Sequence, residues 1–234
     1  MYLGVDEAGK GPVLGPMVAA AVLADPADLP VDADDSKRIA PSRRESMDDA
    51  IRAADAVAVG VAFVEPAEID RPDTDMNTLT VRGQALAVRD ALAGGLPADL
   101  GDPIRVVADA GDTSEARFAR RLGAFIADSD FDGGDPDPPD VAVSAAHGAD
   151  ETDPVVGAAS VVAKVARDER MAAIDADYPA YDGVGSGYPS DPTTREFLRA
   201  YVADHGDVPD CARRSWATCD DVLAAAEQSG LDEF

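Results

Sequence analysis

The sequence predicts an α/β fold with a helical extension at its C-terminus. Short apolar segments alternate with helical ones through most of the 234 residues, and only helical segments follow. Alternating strands and helices are typical of a sheet covered by helices, and a final run of helices indicates an appendage. Hydrophobic residues make up 46% of the chain, which is enough to bury a sizeable core in one large domain.

Five short apolar segments predict the strands of the sheet. Small and β-branched residues dominate these segments, and such residues pack well in a pleated interior. The predicted strands are Tyr2–Val5, Val13–Leu23, Ala56–Val64, Ile104–Ala108 and Asp140–Ala145.

Capping residues mark where several of the predicted helices begin. Asp112 is the expected N-cap of one helix, because Glu115 follows three residues later. Asp153 and Pro154 supply the N-cap and first position of another helix. The first half of that helix is apolar on all sides, so we expect it to be buried. The predicted helices span 41–54, 77–94, 113–125, 154–174, 192–204 and 216–228.

Residues 128–140 form a low-complexity acidic loop rich in Asp, Gly and Pro. The loop superficially resembles a calcium-binding loop. It lacks the EF-hand spacing and the terminal Glu that such a loop needs. We therefore expect no calcium site there.

The chain is strongly acidic. Asp and Glu number 46 against 20 Lys and Arg, which gives a net charge of −26. Such a surface suits a cytoplasm of very high salt, where a short Debye length removes the cost of self-repulsion. The basic surface that usually marks nucleic-acid binding is absent. Because the only lysines are Lys10, Lys37 and Lys164, we expect these three to have site roles.

Neither a membrane span nor a secretory leader is predicted. The N-terminus lacks a basic stretch followed by an apolar one, and no apolar run approaches about 18 residues. Cys211 and Cys219 form no CxxC pair, so we expect reduced intracellular thiols and no structural zinc. These features predict a cytoplasmic protein.

Four acids lie at the ends of predicted elements: Asp6, Glu7, Asp109 and Asp150. Acids at the carboxyl ends of neighbouring parallel strands converge on one edge of a sheet. Clustered carboxylates repel unless divalent cations neutralise them, and hard oxygen ligands suit Mg²⁺ or Mn²⁺. Two such metals activate a water and stabilise the leaving oxygen of a phosphodiester. The alternative is a strand that ends in a solvated acidic turn.

Several motifs, in order along the chain, resemble those of ribonuclease HII, the type 2 ribonuclease H, and the composition resembles that of an extreme halophile. They cover residues 4–192 and continue near the end of the chain. The motifs are Gly4-Val-Asp-Glu-Ala-Gly-Lys-Gly-Pro12, Asp35-Ser-Lys37, Val107-Ala-Asp109, Ala149-Asp150, Pro154-Val-Val-Gly-Ala-Ala-Ser-Val-Val-Ala-Lys-Val-Ala-Arg-Asp168, Gly185-Ser-Gly-Tyr-Pro-Ser-Asp-Pro192 and Arg213-Arg-Ser-Trp216.

The resemblance implies a ribonuclease H-like fold, with a mixed central sheet flanked by helices. It places the catalytic domain in residues 1–182 and the C-terminal helical extension in residues 183–234. It also implies cleavage of the RNA strand of RNA/DNA hybrids. Duplex DNA would be cut 5′ to an embedded ribonucleotide, leaving 3′-OH and 5′-phosphate ends. The implied partners are these nucleic acids, the implied cofactor is Mg²⁺ or Mn²⁺, and we expect a monomer.

The resemblance also assigns roles to residues. The catalytic, metal-binding acids are the four named above. Gly9, Lys10 and Gly11 occupy the turn whose backbone reads the ribose 2′-OH, the group that distinguishes RNA from DNA. Tyr188 is expected to stack on the deoxyribose beyond the RNA–DNA junction, because a Tyr offers a flat apolar face with a polar tip.

Both remaining lysines lie in motifs. Lys37 is expected near the site or the phosphate backbone. Lys164 lies in the helix predicted to be buried, where an unpaired ammonium is costly, so we expect it to pair with a site or core carboxylate; the alternative is that it only reaches towards solvent.

The sequence departs from the family pattern at two places. The usual turn reads Gly-Arg-Gly, and Lys10 keeps the charge of the Arg but loses its bidentate fork. The gap between Asp109 and Asp150 is lengthened by the acidic loop, which leaves Glu151 and Asp153 as rivals of Asp150. Asp153 fits a helix N-cap better than a metal ligand.

Two hypotheses from other classes stay open at this point. One is a catalytically silent module that binds hybrids. Four clustered acids beside phosphates argue against it, since pure binding gains nothing from negative charge there. The other is an acidic halophile protein without a nucleic-acid partner, which the motif turns and Tyr188 argue against.

Overall fold

The computed structural model of the chain describes residues 1–30, 40–94, 100–131 and 139–231. These residues divide into two compact units. The first unit contains Met1–Ala8, Val18–Phe63 and Met76–Ala166. The second unit contains Gly9–Met17, Val64–Asp75 and Arg167–Phe234.

Five strands form one mixed sheet. Its strand order is β3-β2-β1-β4-β5. β1 pairs antiparallel with β2, whereas β1, β4 and β5 run parallel. The mixed sheet agrees with the predicted ribonuclease H-like class. The strands are β1 (Tyr2–Ala8), β2 (Met17–Ala24), β3 (Ala58–Val64), β4 (Ile104–Asp109) and β5 (Val141–Ala146).

Seven α-helices occur in the described part of the chain. Two short 3₁₀ turns, Pro26–Asp28 and Ala149–Glu151, lie between the regular elements. The α-helices are α1 (Pro41–Arg52), α2 (Pro66–Ile69), α3 (Met76–Leu92), α4 (Glu115–Ile126), α5 (Pro154–Asp177), α6 (Pro192–His205) and α7 (Ala217–Leu231).

The first unit has a hydrophobic core on each side of β1. Leu3 and Val5 lie in one cluster, with apolar side chains of α3 and α4. Tyr2 lies in the other cluster, with apolar side chains of α1 and α5. Gly4 lets α5 pack directly on the strand, because a Cβ there would lie 2.3 Å from the carbonyl carbon of Val155. The two faces of β1 therefore pack against different helices. Acids near the end of β1 that project from opposite faces consequently lie near different helices.

The second unit has its own core. Val13 and Leu14 pack with Met171 of α5, Phe197 of α6 and Val222 of α7. The helices α6 and α7 follow the last strand, as the sequence predicts for the C-terminal part of the fold. The proposed domain boundary after residue 182 stays a prediction.

Several predicted element boundaries are wrong. β2 begins at Met17 instead of Val13, and the short helix α2 was not predicted. β1 continues to Ala8, because its pairing with β2 extends as far as Val18, so Asp6 and Glu7 lie inside the strand. The N-cap of α4 is Ser114 instead of Asp112, and its hydroxyl accepts from the amide of Arg117. Asp112 instead forms an ion pair with Arg117 and accepts from the Thr113 amide. Within the described ranges, no helix is long and apolar enough to span a membrane.

The ion pair of Asp112 predicts a pH-dependent contribution to stability. Hydrogen bonds from Arg117 and Thr113 lower the pKa of Asp112 to about 2, below the usual value of about 3.9. The folded pKa is the lower one, so the stabilisation is present above about pH 4 and is lost as the pH falls towards 2.

We therefore expect Asp112→Asn to lower the free energy of unfolding at pH 7, and the difference from wild type to shrink below about pH 4. Urea unfolding at several pH values measures this, and the exposed Asp49→Asn is the matched control. A destabilisation that stays constant down to pH 2 would contradict the ion-pair account.

Candidate active site

The parallel pairing of β1 with β4 brings the predicted acids of both strands to one edge of the sheet. Val5 lies opposite Ala108, so Asp6 and Asp109 follow at the same level. Side chains alternate along a strand, and Asp6 and Glu7 therefore project to opposite faces of the sheet.

Each acid of β1 meets a different helix. Asp6 accepts a hydrogen bond from Ser160 of α5, and it is only 5% exposed. Glu7 accepts from Nε2 of Gln84 in α3, at 2.7 Å. The pleat predicts that these two neighbouring acids point in opposite directions. On each face, a polar side chain of the covering helix holds the acid in that direction.

Asp109 connects the end of β4 to the turn that carries Asp150. Its Oδ1 accepts from the Ala149 amide at 2.8 Å. Asp150 follows in the same 3₁₀ turn and is buried, whereas its rival Glu151 is exposed. The other rival, Asp153, accepts from the first amides of α5 and so acts as the predicted N-cap. The geometry favours Asp150 over both rivals as the fourth acid.

The acids at this edge act on each other electrostatically. The pKa of Asp6 lies well above its usual range, chiefly because the carboxyl group is buried and then because the charge of Glu7 is close. Asp109 adds a smaller contribution of the same sign. The Ser160 hydroxyl and the Glu7 amide donate to Asp6 and oppose the rise. The excess negative charge at this edge is what a cation would neutralise.

The donor set fits a hard divalent cation. All four predicted ligands are carboxylates, the type that Mg²⁺ and Mn²⁺ prefer. In the described ranges, no three His, Cys, Asp or Glu side chains form a group that could hold a metal ion. Among these residues, three or four of the predicted ligands therefore do not converge on one ion as the side chains stand. An ion held by one or two of them would take its other ligands from water and substrate phosphate. The fit of a divalent cation therefore rests on the carboxylate oxygens as ligands and on the repulsion of Asp6 by Glu7 and Asp109.

Lys164 is linked to Asp6 through one intervening side chain, that of Ser160. Its Nζ donates to the Ser160 hydroxyl at 2.6 Å, and that hydroxyl in turn donates to Asp6. The structure thus places Lys164 near the acidic edge, through a hydroxyl group. The expected pairing with a site carboxylate stays a prediction. Lys37 lies outside the described residues.

Sequence reasoning missed Gln84. This side chain is fully buried, and its Nε2 donates both to Glu7 and to the main-chain oxygen of Asp109, at 2.7 and 3.2 Å. It thereby links the ends of β1 and β4. A polar residue on the mostly apolar buried face of α3 was the available signal. That signal does not show which distant acid the amide contacts.

Gln84→Met should lower activity while the fold persists. Met has a similar volume and no hydrogen-bond donor, so Glu7 loses the group that orients it. Removing such a supporting partner costs roughly 10–100-fold in activity or metal affinity. Steady-state hydrolysis measured across a metal titration checks this, with the exposed Gln228→Met as the control. Unchanged activity and metal dependence would show that Glu7 needs no such support.

The second unit contains the predicted ribose-reading turn. Gly9 has φ +86°, and a Cβ there would lie 2.4 Å from Nε of Arg167, so only a glycine fits. The buried Arg213 donates to the main-chain oxygens of Gly9 and Lys10. Trp216 donates from Nε1 to the oxygen of Gly11. The turn is thus fixed through its carbonyl groups.

Tyr188 lies beside the same turn in this unit. Its ring is 43% exposed, and a Cβ on Gly11 would lie 4.0 Å from its Cε1. The guanidinium of Arg167 lies over the ring, 5.5 Å from its centroid. The structure therefore brings together Gly11 and Tyr188, the predicted ribose reader and junction reader.

Comparisons with known proteins decide the family. The family model described as ribonuclease HII matches residues 3–219. The chain belongs to the ribonuclease HII family. It is 56% identical to ribonuclease HII of Haloarcula marismortui, with all of both chains covered. It is 52% identical to the Halobacterium salinarum protein of the same name, over 99% of this chain and 98% of that one.

A solved structure has the same fold over its whole length. The PCNA:RNase HII complex from Archaeoglobus fulgidus gives a TM-score of 0.76 at 31% identity, with all of both chains covered. These findings confirm the ribonuclease H-like fold class and the family. They make the chain a hydrolase, an endoribonuclease that acts on RNA/DNA hybrids. The relatives from halophilic archaea also confirm the halophilic character that the acidic composition predicted.

Proposed function

We propose that this ribonuclease HII hydrolyses the RNA strand of hybrids and also cuts duplex DNA on the 5′ side of an embedded ribonucleotide, by two-metal-ion chemistry. The observation that carries the proposal is the group of acids at the carboxyl ends of β1 and β4. Asp6 there is buried with its pKa raised by Glu7 and Asp109, and the turn with Asp150 is tied to Asp109 through Ala149.

The chemistry assigned to this edge follows from its charge. Two divalent cations bound there would supply an activated water and stabilise the leaving oxygen. Asp6, Glu7, Asp109 and Asp150 are the residues that would bind and orient these ions. In the reaction the water oxygen bonds to phosphorus, the bond from phosphorus to the 3′ oxygen breaks, and that oxygen takes a proton. The products carry 3′-OH and 5′-phosphate ends.

The second unit supplies groups suited to the recognition of a ribonucleotide. Gly9, Lys10 and Gly11 present a tight turn whose backbone can approach a ribose 2′-OH closely. Tyr188 presents an exposed ring that can stack on the sugar that follows. We infer that the turn selects the ribonucleotide and that Tyr188 selects the deoxynucleotide after it.

The acids also argue against a silent binding module. A protein that only bound hybrids would gain nothing from a buried carboxyl whose neighbours repel it, because the same charges repel phosphate. We infer that the protein acts as a monomer. The acidic composition predicts that it does so in a salt-rich cytoplasm.

Cleavage of an end-labelled RNA/DNA hybrid in multimolar KCl tests the metal chemistry. With Mg²⁺ or Mn²⁺ we expect products that carry 5′-phosphate and 3′-OH, and with EDTA we expect none. Cleavage in EDTA, or products that end in a 2′,3′-cyclic phosphate, would overturn the two-metal proposal, since the second outcome makes the ribose hydroxyl the nucleophile in place of water.

A further inference from the structure

A chain of net charge −26 has to bind a polyanion if it acts on nucleic acid. Surface arginines and lysines usually supply the attraction, and salt weakens it steeply. At multimolar salt the Debye length falls below about 3 Å, so exposed charges act only at contact. A charge that mobile ions cannot reach is one source of attraction that persists at such salt concentrations.

Two guanidinium groups in the second unit are almost completely removed from solvent. Arg213 has 0% exposure and Arg167 has 5%. Arg213 donates to three main-chain oxygens, those of Gly9, Lys10 and Gly15. Arg167 donates to the main-chain oxygens of Leu14 and Ser186, at 3.4 and 3.2 Å. All these acceptors are neutral carbonyl groups.

Among the described residues, neither guanidinium forms a salt bridge within 4 Å. The carboxylates that act on them do so from farther away, Asp168 on Arg167 and Asp70 on Arg213. Nε of Arg167 is buried and, within the same residues, has no hydrogen-bond partner. Burial and then the charge of Arg167 lower the pKa of Arg213 to about 10, so Arg213 stays charged at neutral pH. Buried charges without counter-ions are costly to a fold.

The two charges lie directly behind the predicted recognition surface of the same unit. Arg213 bonds the carbonyls of Gly9 and Lys10. Arg167 lies against Gly9, where a Cβ would come within 2.4 Å of it, and over the ring of Tyr188. The turn and the ring therefore lie beside two positive charges that the protein neutralises only from a distance, through Asp168 and Asp70.

We propose that Arg167 and Arg213 form a buried cation pair, without a salt-bridged carboxylate, whose charge attracts a phosphate group of the bound nucleic acid. The inference rests on the proposed function in placing nucleic acid against Gly9–Gly11 and Tyr188. Because water and salt ions do not reach the pair, its attraction for phosphate persists at salt concentrations that screen the charge of exposed arginines. The arrangement lets an acidic chain hold a polyanion in multimolar salt.

The alternative is that both arginines only brace the turn. Charge and bracing are separable by substitution. Arg167→Lys keeps the charge and loses the planar fork, whereas Arg167→Gln loses the charge and keeps a hydrogen-bond donor. Arg199, an exposed residue of α6 in the same unit, supplies the control Arg199→Gln with the same change of charge.

The test is the Kd for a labelled all-DNA duplex with Mg²⁺, by fluorescence anisotropy, at about 1 M and about 3 M KCl. We expect Arg167→Gln to bind roughly tenfold more weakly at both concentrations, the effect of one unit charge over about 10 Å at an effective dielectric constant of about 20. Arg167→Lys should stay within about threefold of wild type, and Arg199→Gln should match wild type at the higher concentration.

Equal losses for the Gln and Lys variants would overturn the proposal in favour of bracing. A loss for Arg167→Gln that vanishes at the higher salt would overturn it too, since it would then behave as a surface charge. Circular dichroism in the same buffers verifies that the variants are folded. The all-DNA probe needs no cleavage, so the binding result stands even if the wild-type protein fails to nick a ribonucleotide.

Discussion

Asp109→Asn is expected to remove cleavage of RNA/DNA hybrids, by on the order of a thousandfold in kcat, while the protein stays folded. The amide keeps the oxygen that accepts from the Ala149 amide, so the turn with Asp150 can stay in place. It removes one negative charge from the edge that would bind the metals. A loss of cleavage would therefore result from the missing charge and metal ligand and would not indicate unfolding.

Asp102→Asn supplies the matched control. Asp102 is an exposed acid just before β4, whereas Asp109 ends that strand. Hydrolysis and thermal unfolding measured on both variants separate the effects. Near-normal turnover by Asp109→Asn would contradict its assignment as a metal ligand, and an equal loss in the control would point to net charge instead of position.

Tyr188→Ala is expected to impair cleavage at a single embedded ribonucleotide by about tenfold or more, the range of one aromatic stacking contact. Long hybrids should lose much less, because their sites need no RNA–DNA junction. The ring is exposed on one side and held by Arg167, so its removal changes a surface more than a core. Tyr188→Phe should keep most activity, since the stacking face remains.

Phe63→Ala is the matched control for this variant, because Phe63 is the other large apolar side chain exposed among the described residues, at 41%. The measurement is the ratio of kcat/KM values for a duplex with one ribonucleotide and for a long hybrid. Equal losses on both substrates would show that Tyr188 contributes to general binding and does not read the junction.

Much of the acidic edge could be predicted because its position follows from strand pairing and from the alternation of side chains along a strand. In both β1 and β4 an apolar run leads into acids near the carboxyl end of the strand, and parallel pairing of the two strands brings those acids to one edge. The pleat then separates Asp6 from Glu7. The partners of these acids could not be predicted, because Gln84 is 77 residues away from Glu7 in the sequence.

The errors in the prediction have similar causes. Asp112 and Ser114 are both good N-cap residues, and the sequence alone did not show that Arg117 would take Asp112 as an ion-pair partner. The roles of Arg167 and Arg213 were also hidden, although both lie in the motifs. Both guanidinium groups donate to main-chain carbonyls that lie far away in the sequence. Because every residue has such a carbonyl, the sequence does not show which residues are the partners.

Incubating the protein with a labelled DNA duplex that carries one ribonucleotide, in multimolar KCl with Mg²⁺, Mn²⁺ or EDTA, tests the central claim most directly. The account predicts a nick immediately 5′ to the ribonucleotide, with either metal and not with EDTA. A folded protein that cuts long hybrids but leaves this duplex intact would contradict the proposed reading of the junction.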